Sequence, residues 1–169
     1  SMQEKQVTIG DESYKLDLPF LVLATQNPID QEGTYPLPEA QRDRFMMKLN
    51  VDYPSKEEEL KIMQRMSDLN FKKSTKTILN KKDISAIQNE INKVSISESI
   101  EKYIIEIVNA TRKPSSVKLN EFEDYISFGA SPRASINLSL ASKANAFLSN
   151  RDYVMPGDVK EIAHDVLNH

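Results

Sequence analysis

The stretch Phe20–Phe45, FLVLATQNPIDQEGTYPLPEAQRDRF, contains the pattern that decides the fold. Its first five residues, Phe20 to Ala24, are all apolar, which is typical of a strand covered on both faces in a parallel sheet. Polar residues begin abruptly at Thr25. Because ligands of open α/β sheets lie just beyond the carboxyl ends of strands, the pattern predicts a functional site as well as a strand at residues 20–25.

The residues on either side of this strand complete a small α+β region. Apolar and polar residues alternate over residues 5–18 around a Gly-Asp pair, which predicts a β-hairpin. A loop after the strand leads to a short helix predicted at about 38–43, and apolar alternation predicts a second strand at 45–51. We therefore expect residues 1–54 to contain a hairpin, two strands and one short helix.

The rest of the chain has the sequence pattern of helices alone. Ser55 is a favourable N-cap for the first of them. Apolar residues then recur at three- and four-residue spacing, as at Ile84, Ile87 and Ile91. The sequence therefore predicts an all-α helical bundle over residues 55–169.

Composition excludes several classes of function. The formal net charge is −3, which argues against a surface built for nucleic acid. The absence of cysteine excludes disulfides, thiol catalysis and cysteine-zinc sites. No apolar run approaches the ~20 residues of a membrane span, and no signal peptide is evident, so we expect a cytoplasmic protein.

The opening stretch closely resembles the MoxR family of AAA+ ATPases, which carries nearly the same A-T-Q-N-P…E-G-T-Y-P-L-P-E-A-Q-x-D-R-F block. A second block, GASPRA at residues 129–134, resembles the segment that opens the lid helix of that family. The resemblance covers almost the whole chain. It implies that residues 1–54 are part of an α/β AAA+ core and that residues 55–169 are an all-α AAA+ lid domain.

Two motifs of such ATPases do not occur in this sequence. None of the four glycines opens a G-x-x-x-x-G-K-[ST] phosphate loop, and no apolar strand ends in Asp-Glu. The chain thus resembles the carboxyl-terminal part of a MoxR-type ATPase. We expect the parent to use ATP and Mg²⁺, and this chain alone to contain no metal site, to bind neither tightly and not to hydrolyse ATP.

Asn27 is the first candidate site residue. Because Pro28 follows it, Asn27 is restricted to an extended conformation, and its amide should project beyond the strand end. Asn-Pro alone also fits an ordinary turn. The family resemblance implies a sensor 1 residue, which orients the attacking water or touches the terminal phosphate.

Arg44 is the second candidate. The resemblance implies that the arginine of the Asp-Arg-Phe motif is an arginine finger, which reaches the nucleotide of a neighbouring subunit. A planar guanidinium suits this role because it donates several hydrogen bonds to a phosphoryl group. Alternatively, Arg44 is a surface residue paired with Glu39 or Asp43. Arg42 is the second choice for the finger, since the family more often has an apolar residue there.

Arg133 is the third candidate. Ser131 as N-cap and Pro132 at the first helical position predict a helix start. The helix dipole destabilises a cation in the first turn, so we expect an anion to bind beside Arg133 and stabilise it. An ATP phosphate would supply that anion, and the resemblance implies the sensor 2 role. Alternatively, Arg133 extends its charged end to water or pairs with an acidic neighbour such as Asp124. The face of this helix that Arg133 shares is predicted to be apolar and buried through Ile136, Leu140, Ala144 and Phe147.

The resemblance also implies partners for the parent protein. It would form a nucleotide-dependent homo-oligomeric ring, expected to be a hexamer, that uses ATP to remodel or activate client proteins in a chaperone-like manner. A von Willebrand factor A-domain protein is an expected partner. The alternatives are a non-enzymatic helical protein-interaction module, with the arginines as docking residues, and a chelatase-type AAA+ subunit.

In the AAA+ strand order, a central strand upstream of residue 1 separates the strands at 20–25 and 45–51. Without that partner both strands have unpaired edges, and exposed apolar edges recruit other chains. We therefore expect rearranged or intermolecular strand pairing within the first 50 residues and normal folding of residues 55–169.

Overall fold

The computed structural model of the chain describes residues 6–26, 37–68 and 75–168. The described elements comprise two strands and six α-helices, in the order β1 (Gln6–Ile9), β2 (Glu12–Lys15), α1 (Glu39–Arg42), α2 (Lys56–Met66), α3 (Lys81–Lys93), α4 (Glu98–Arg112), α5 (Pro132–Leu148) and α6 (Pro156–Leu167). Two 3₁₀-helices, Pro114–Val117 and Asn120–Tyr125, lie between α4 and α5; the sequence patterns did not predict them.

The predicted hairpin is present. Strands β1 and β2 pair antiparallel, with Val7 opposite Tyr14 and Ile9 opposite Glu12. Gly10 occupies the turn with φ of 62°, a left-handed conformation that glycine adopts without steric cost. The sequence therefore predicted the hairpin and its turn at Gly10, and the structure adds the register and limits the strands to residues 6–9 and 12–15.

The strands predicted at 20–25 and 45–51 are wrong for this structure, in which neither segment is a strand. Leu21 and Leu23 are 80% and 84% exposed instead of being buried in a sheet. A strand needs a neighbour for its backbone N–H and C=O groups, and no described strand pairs with either segment. Rearranged pairing is thus not found among the described residues; intermolecular pairing, which requires a second chain, stays a prediction.

The hydrophobic core lies among α4, α5 and α6. Helix α5 packs against α3, α4 and α6, and the buried apolar side chains come mostly from α4, α5, α6 and the turns beside them. They are Val94, Ile100, Ile104, Val108, Ala134, Leu138, Ala141, Ala146, Val154, Val159 and Val166. The core thus runs along α5 from Ala134 in its first turn to Ala146 near its carboxyl-terminal end.

The face of α5 that is buried differs from the predicted one. Ala134, Leu138 and Ala141 are buried, whereas Ile136 and Leu140 are exposed. Apolar residues lie all around this helix, so their spacing does not select one face. Small alanines on the buried face let neighbouring helices approach closely, and that packing decides the orientation.

Helix α2 begins as predicted but is not buried. Ser55 forms a capping box with Glu58, in which the Ser55 Oγ accepts from the Glu58 N–H and the Glu58 carboxylate accepts from the Ser55 N–H. No side chain of α2 is buried among the described residues. The sequence therefore predicts the start of this helix, and the structure leaves its apolar face exposed.

Candidate arginine and nucleotide-sensing site

The amino-terminal end of α5 is the centre of the candidate site. Ser131 is its N-cap, and the Ser131 Oγ accepts a hydrogen bond from the Arg133 N–H at 3.1 Å. Pro132 occupies the first helical position, where no backbone donor is needed. The local sequence Ser-Pro-Arg thus fixes the helix start and places Arg133 in its first turn.

The segment before α5 is held by the end of α4. The Arg112 Nε donates to the Ala130 carbonyl oxygen at 2.6 Å, and the Ala130 N–H donates to the Thr111 Oγ1 at 2.9 Å. A Cβ atom at Gly129 would lie 2.6 Å from the Arg112 Cα, closer than real side chains approach. Glycine is therefore required at this crossing, and α4 determines where α5 begins.

Arg133 contacts a carboxylate in this structure. Its Nη1 donates to the Asp43 Oδ2 at 2.5 Å, and the Ser131 Oγ donates to the other oxygen, Oδ1. The Arg133 and Asp43 side chains are 41% and 22% exposed, so the pair is only partly shielded from water. The acidic neighbour suggested from the sequence, Asp124, is therefore replaced by Asp43, which lies 90 residues before Arg133.

Arg42 and Arg44 lie at the carboxyl-terminal end of α1. Helix α1 ends at Arg42, and a tight turn follows, in which the Arg44 N–H donates to the Gln41 carbonyl and the Phe45 N–H to the Arg42 carbonyl. Arg44 is exposed, whereas Arg42 is half-buried. The Arg42 Nε is buried and has no hydrogen-bond partner among the described residues. The two arginines therefore have different surroundings although they are two residues apart.

The residues after Arg44 lie against the helical part of the chain. Met47 packs on the hydrophobic core, and the Lys48 N–H donates to the Asp165 carbonyl oxygen of α6 at 2.8 Å. Together with the contacts of Asp43, these interactions place residues 43–48 on α5 and α6. We call residues 43–48 the docked segment.

A cleft of about 590 Å³ opens beside the α5 start. It lies between α1, the loop that precedes α5 and the end of α6, and both Asp43 and Ser131 line it. Glu39 adds a second carboxylate to the wall, while Phe128 and Val166 contribute apolar surface. The Arg133 guanidinium bonds Asp43, so Arg133 and the cleft share the Asp43 carboxylate.

The structure places only some of the residues singled out from the sequence. Asn27 lies outside the described residues. Arg133 and Arg44 are brought into one neighbourhood through Asp43, which is bonded to Arg44 in the chain and to Arg133 through a salt bridge. Sequence reasoning missed Asp43 as a site residue, although it belongs to the quoted Asp-Arg-Phe motif. Local spacing gives no signal for a partner this distant.

The donors present fit one part of a nucleotide. A guanidinium that takes a carboxylate can take a phosphate oxygen in the same manner, because both are oxyanions recognised by its N–H groups. Within the described ranges no group of three His, Asp or Glu side chains could hold a metal ion. The described part of the chain thus fits contact with a phosphate.

A different charged cluster is buried in the bundle. Arg151 makes two hydrogen bonds to the Asp158 carboxylate, at 2.7 and 2.5 Å, and Asp158 is 3% exposed. The Met155 N–H also donates to Asp158, which caps the start of α6. These bonds, led by that from Arg151, hold the pKa of Asp158 below its usual range, and the same bond raises the pKa of Arg151. This pair has a structural role at the α6 start.

None of the described helices has the length and apolar character needed to cross a membrane.

Comparison with known proteins gives matches at both ends of the chain. The family profile "ATPase family associated with various cellular activities (AAA)" matches residues 1–47, and the profile "AAA lid domain" matches residues 121–169. Among curated proteins, the chain is 45% identical over 168 residues to Chaperone MoxR1 of Mycobacterium tuberculosis, which covers 99% of this chain and 44% of that protein. It is 42% identical over 169 residues to the uncharacterized protein YeaC of Bacillus subtilis, covering 100% of this chain and 50% of that one.

A solved structure also matches. The crystal structure of a Cytophaga hutchinsonii protein superposes with a TM-score of 0.91 at 62% sequence identity. The match covers 99% of this chain and 51% of that one. The chain therefore spans about half the length of the relatives it matches.

Proposed function

Because this chain belongs to the MoxR family of AAA+ ATPases, we propose that it carries the nucleotide-sensing and lid part of an ATP-hydrolysing enzyme. In this proposal Arg133 contacts a phosphate of nucleotide held by its own subunit. Arg44 reaches the nucleotide of the neighbouring subunit, and Asn27 orients the attacking water. Residues 1–54 complete a AAA+ core, and residues 55–169 form its lid.

The observation that carries the proposal is the oxyanion contact of Arg133. Its guanidinium lies in the first turn of α5 and bonds a carboxylate that also accepts from Ser131. A cation at the positive end of a helix is stabilised by an anion, and a phosphate supplies more charge and more acceptor oxygens than a carboxylate. The contact therefore supports a phosphate-sensing role for Arg133.

Exposure supports Arg44 over Arg42 as the residue that acts across a subunit interface. Arg44 is exposed at the turn after α1, whereas Arg42 is half-buried with its Nε enclosed. A finger must leave its own subunit to reach a neighbouring phosphate, which is easier for an exposed side chain. We therefore assign the finger to Arg44 and keep Arg42 as the second choice.

Phosphate cradling and metal binding are assigned to residues outside this chain. ATP hydrolysis requires backbone N–H groups and a lysine around the phosphates and a carboxylate on Mg²⁺, and the sequence has no G-x-x-x-x-G-K-[ST] motif. We propose that the chain alone neither binds Mg-ATP tightly nor hydrolyses it. Magnesium-dependent phosphate release by the purified chain would refute this part of the proposal.

The assembly follows from the assignment of a residue that acts in trans. Each nucleotide site would combine the finger of one subunit with the sensor of its neighbour, and only a closed ring completes every such site. We propose that this ring is a cytoplasmic homo-hexamer. By resemblance to the family, this ring would remodel client proteins in a chaperone-like manner, together with a von Willebrand factor A-domain partner.

The test is the ATPase activity of the full reading frame that encodes this chain, with Arg133→Gln and a matched Arg65→Gln control. Arg65 is an exposed residue in the last turn of α2. Losing one charge-assisted bond to phosphate should lower kcat/KM about ten- to hundredfold. Arg65→Gln should leave it unchanged. Equal activity of Arg133→Gln and the parent would refute the sensor role.

One observation favours the second candidate, a helical protein-interaction module. Helix α2 exposes Leu60, Ile62, Met63 and Met66 on a surface that no described helix covers. Exposed apolar patches often mark interaction sites. The reading frame discriminates between the two functions, because the ATPase proposal requires it to encode a G-x-x-x-x-G-K-[ST] motif and an Asp-Glu strand, and the interaction module requires neither.

A further inference from the structure

The Asp43 carboxylate bridges two groups at the start of α5. One oxygen accepts from the Ser131 Oγ and the other from the Arg133 Nη1. Asp43 is more shielded than its partner, with 22% of its side chain exposed against 41% for Arg133. Both acceptor oxygens are therefore engaged with the residues that begin α5.

Asp43 also belongs to the docked segment, residues 43–48. The docked segment also contacts the helical part through Met47, which packs on the core, and through the Lys48 N–H, which donates to the Asp165 carbonyl. Asp43 is bonded directly to Arg44 in the chain. The bonds that hold Asp43 on α5 therefore also restrain the backbone that carries Arg44.

We propose that Asp43 is a positioning residue that competes with phosphate for Arg133 and so links Arg133 to the position of Arg44. The inference rests on the proposed role of Arg133 as a phosphate contact and adds a residue to it. When no anion is present, Asp43 neutralises Arg133 and holds the docked segment on α5. When Arg133 turns to a phosphate, Asp43 loses its salt bridge to Arg133, and the docked segment loses a charged contact with α5.

The physical reason for competition is charge. A phosphate bound to Arg133 would lie close to the Asp43 carboxylate, because both would contact the same guanidinium. The two negative charges repel each other at such close range. Either the phosphate binds weakly or Asp43 moves away. Removing the Asp43 charge should thus strengthen anion binding, whereas a residue needed only for folding would weaken binding when it is changed.

The experiment titrates inorganic triphosphate into the complete 169-residue chain and follows the backbone amide of Arg133 by NMR. We expect Asp43→Asn to bind triphosphate about three- to tenfold more tightly than the unmodified chain, the effect of removing a partly exposed ion pair. Asp43→Glu keeps the charge and should bind like the unmodified chain. Arg133→Gln should lose binding.

A control separates competition from a general change in net charge. Asp11→Asn removes one negative charge from the exposed hairpin turn, far along the sequence from Arg133. It should leave triphosphate affinity unchanged. If it strengthens binding as much as Asp43→Asn does, the specific role of Asp43 is refuted.

A second readout follows the docked segment itself. Hydrogen exchange of the Lys48 amide, which bonds the Asp165 carbonyl, should accelerate when triphosphate saturates the unmodified chain. It should not respond to triphosphate in Arg133→Gln. An unchanged exchange rate in the saturated chain would refute the link to Arg44.

The outcomes distinguish this inference from the proposed function. If Arg133→Gln loses binding but Asp43→Asn binds no more tightly than the unmodified chain, the phosphate contact stands and the competition is refuted. If Arg133→Gln binds as well as the unmodified chain, the phosphate contact itself is refuted. Absence of binding in both the unmodified chain and Asp43→Asn overturns the competition.

Discussion

The helices α4–α6 and the segment 18–26 contain similar apolar residues, but these side chains are buried in the helices and exposed in the segment. Leu138 of α5 is completely buried, whereas Leu23 is 84% exposed. A helix satisfies its backbone hydrogen bonds within itself and needs only one apolar face covered. A strand needs a neighbouring strand for every backbone group, so an apolar sequence without that neighbour forms no element.

This difference indicates where the stability of the chain resides. Helices α4–α6 bury their side chains against one another and carry the amino-terminal end of α5, where Arg133 lies. The docked segment, residues 43–48, reaches this bundle through Asp43, Met47 and Lys48. Substitutions in the bundle should therefore change stability, whereas similar substitutions in residues 18–26 should not.

The largest effect is expected from truncating a buried leucine. Leu138→Ala should lower the free energy of unfolding by about 3 kcal/mol, because it removes apolar contacts and leaves a cavity. The matched Leu23→Ala should change it by less than about 0.5 kcal/mol. Urea unfolding followed by far-ultraviolet circular dichroism measures both. Equal losses would mean that the exposed segment is packed in solution.

The next effect concerns the buried ion pair of the bundle. Asp158→Asn leaves Arg151 without its carboxylate and should lower the free energy of unfolding by about 2 kcal/mol at neutral pH. The loss is limited to this size because the Arg151 side chain keeps some access to water. The exposed Asp152→Asn serves as the control and should cost almost nothing.

The pH dependence of the same variant tests the cause. The pKa of Asp158 is lower in the folded chain than its ordinary value of 3.8, so its stabilisation is fully present above that value. It is lost as the pH falls through the lower folded pKa. The stability difference between the unmodified chain and Asp158→Asn should thus narrow below about pH 4. A constant difference down to the acid transition would contradict the assignment.

A smaller effect is expected at the crossing of α4 and the segment before α5. Gly129→Ala places a Cβ against the Arg112 backbone and should lower the free energy of unfolding by about 1.5 kcal/mol through overpacking. Gly157→Ala in α6 meets no atom within 4 Å and should be neutral or stabilising. The Tm of the two variants, measured by thermal unfolding, gives the comparison. A lower Tm for Gly157→Ala beside an unchanged Tm for Gly129→Ala would contradict the close contact at Gly129.

The smallest effect is a gain. Ser142 is fully buried in α5, and its Oγ has no hydrogen-bond partner among the described residues. Ser142→Ala removes this unsatisfied hydroxyl and should raise the free energy of unfolding by about 1 kcal/mol. Ser85→Ala, at an exposed position of α3, provides the reference. A loss of stability in Ser142→Ala would show that the hydroxyl has a partner in solution.

Sequence alone predicted the features that depend on near neighbours. Ser55 and Ser131 start helices as expected because an N-cap acts on residues two or three positions away. The hairpin around Gly10 follows from a turn and an alternation that are both local. Helix α6 begins at Pro156, because proline is favourable at the first helical position.

Features that depend on distant residues could not be predicted. The strands at 20–25 and 45–51 fail because strand pairing is non-local. The buried face of α5 was misassigned because Ile136 and Leu138 are equally apolar, and only the packing of other helices separates them. For Arg133 the need for an anion was predicted, but its partner Asp43 was not, since the two residues meet only after folding.

The role of Arg44 in a neighbouring subunit is tested by the ATPase rate against protein concentration for the full reading frame, with Arg44→Ala and Arg42→Ala beside it. We predict a rate per subunit that rises with concentration and falls in Arg44→Ala by about a thousandfold or more, as for arginine fingers that act in trans. Arg42→Ala should retain most of the activity. Full activity of Arg44→Ala, or a collapse in Arg42→Ala alone, would contradict the assignment of Arg44 as the finger.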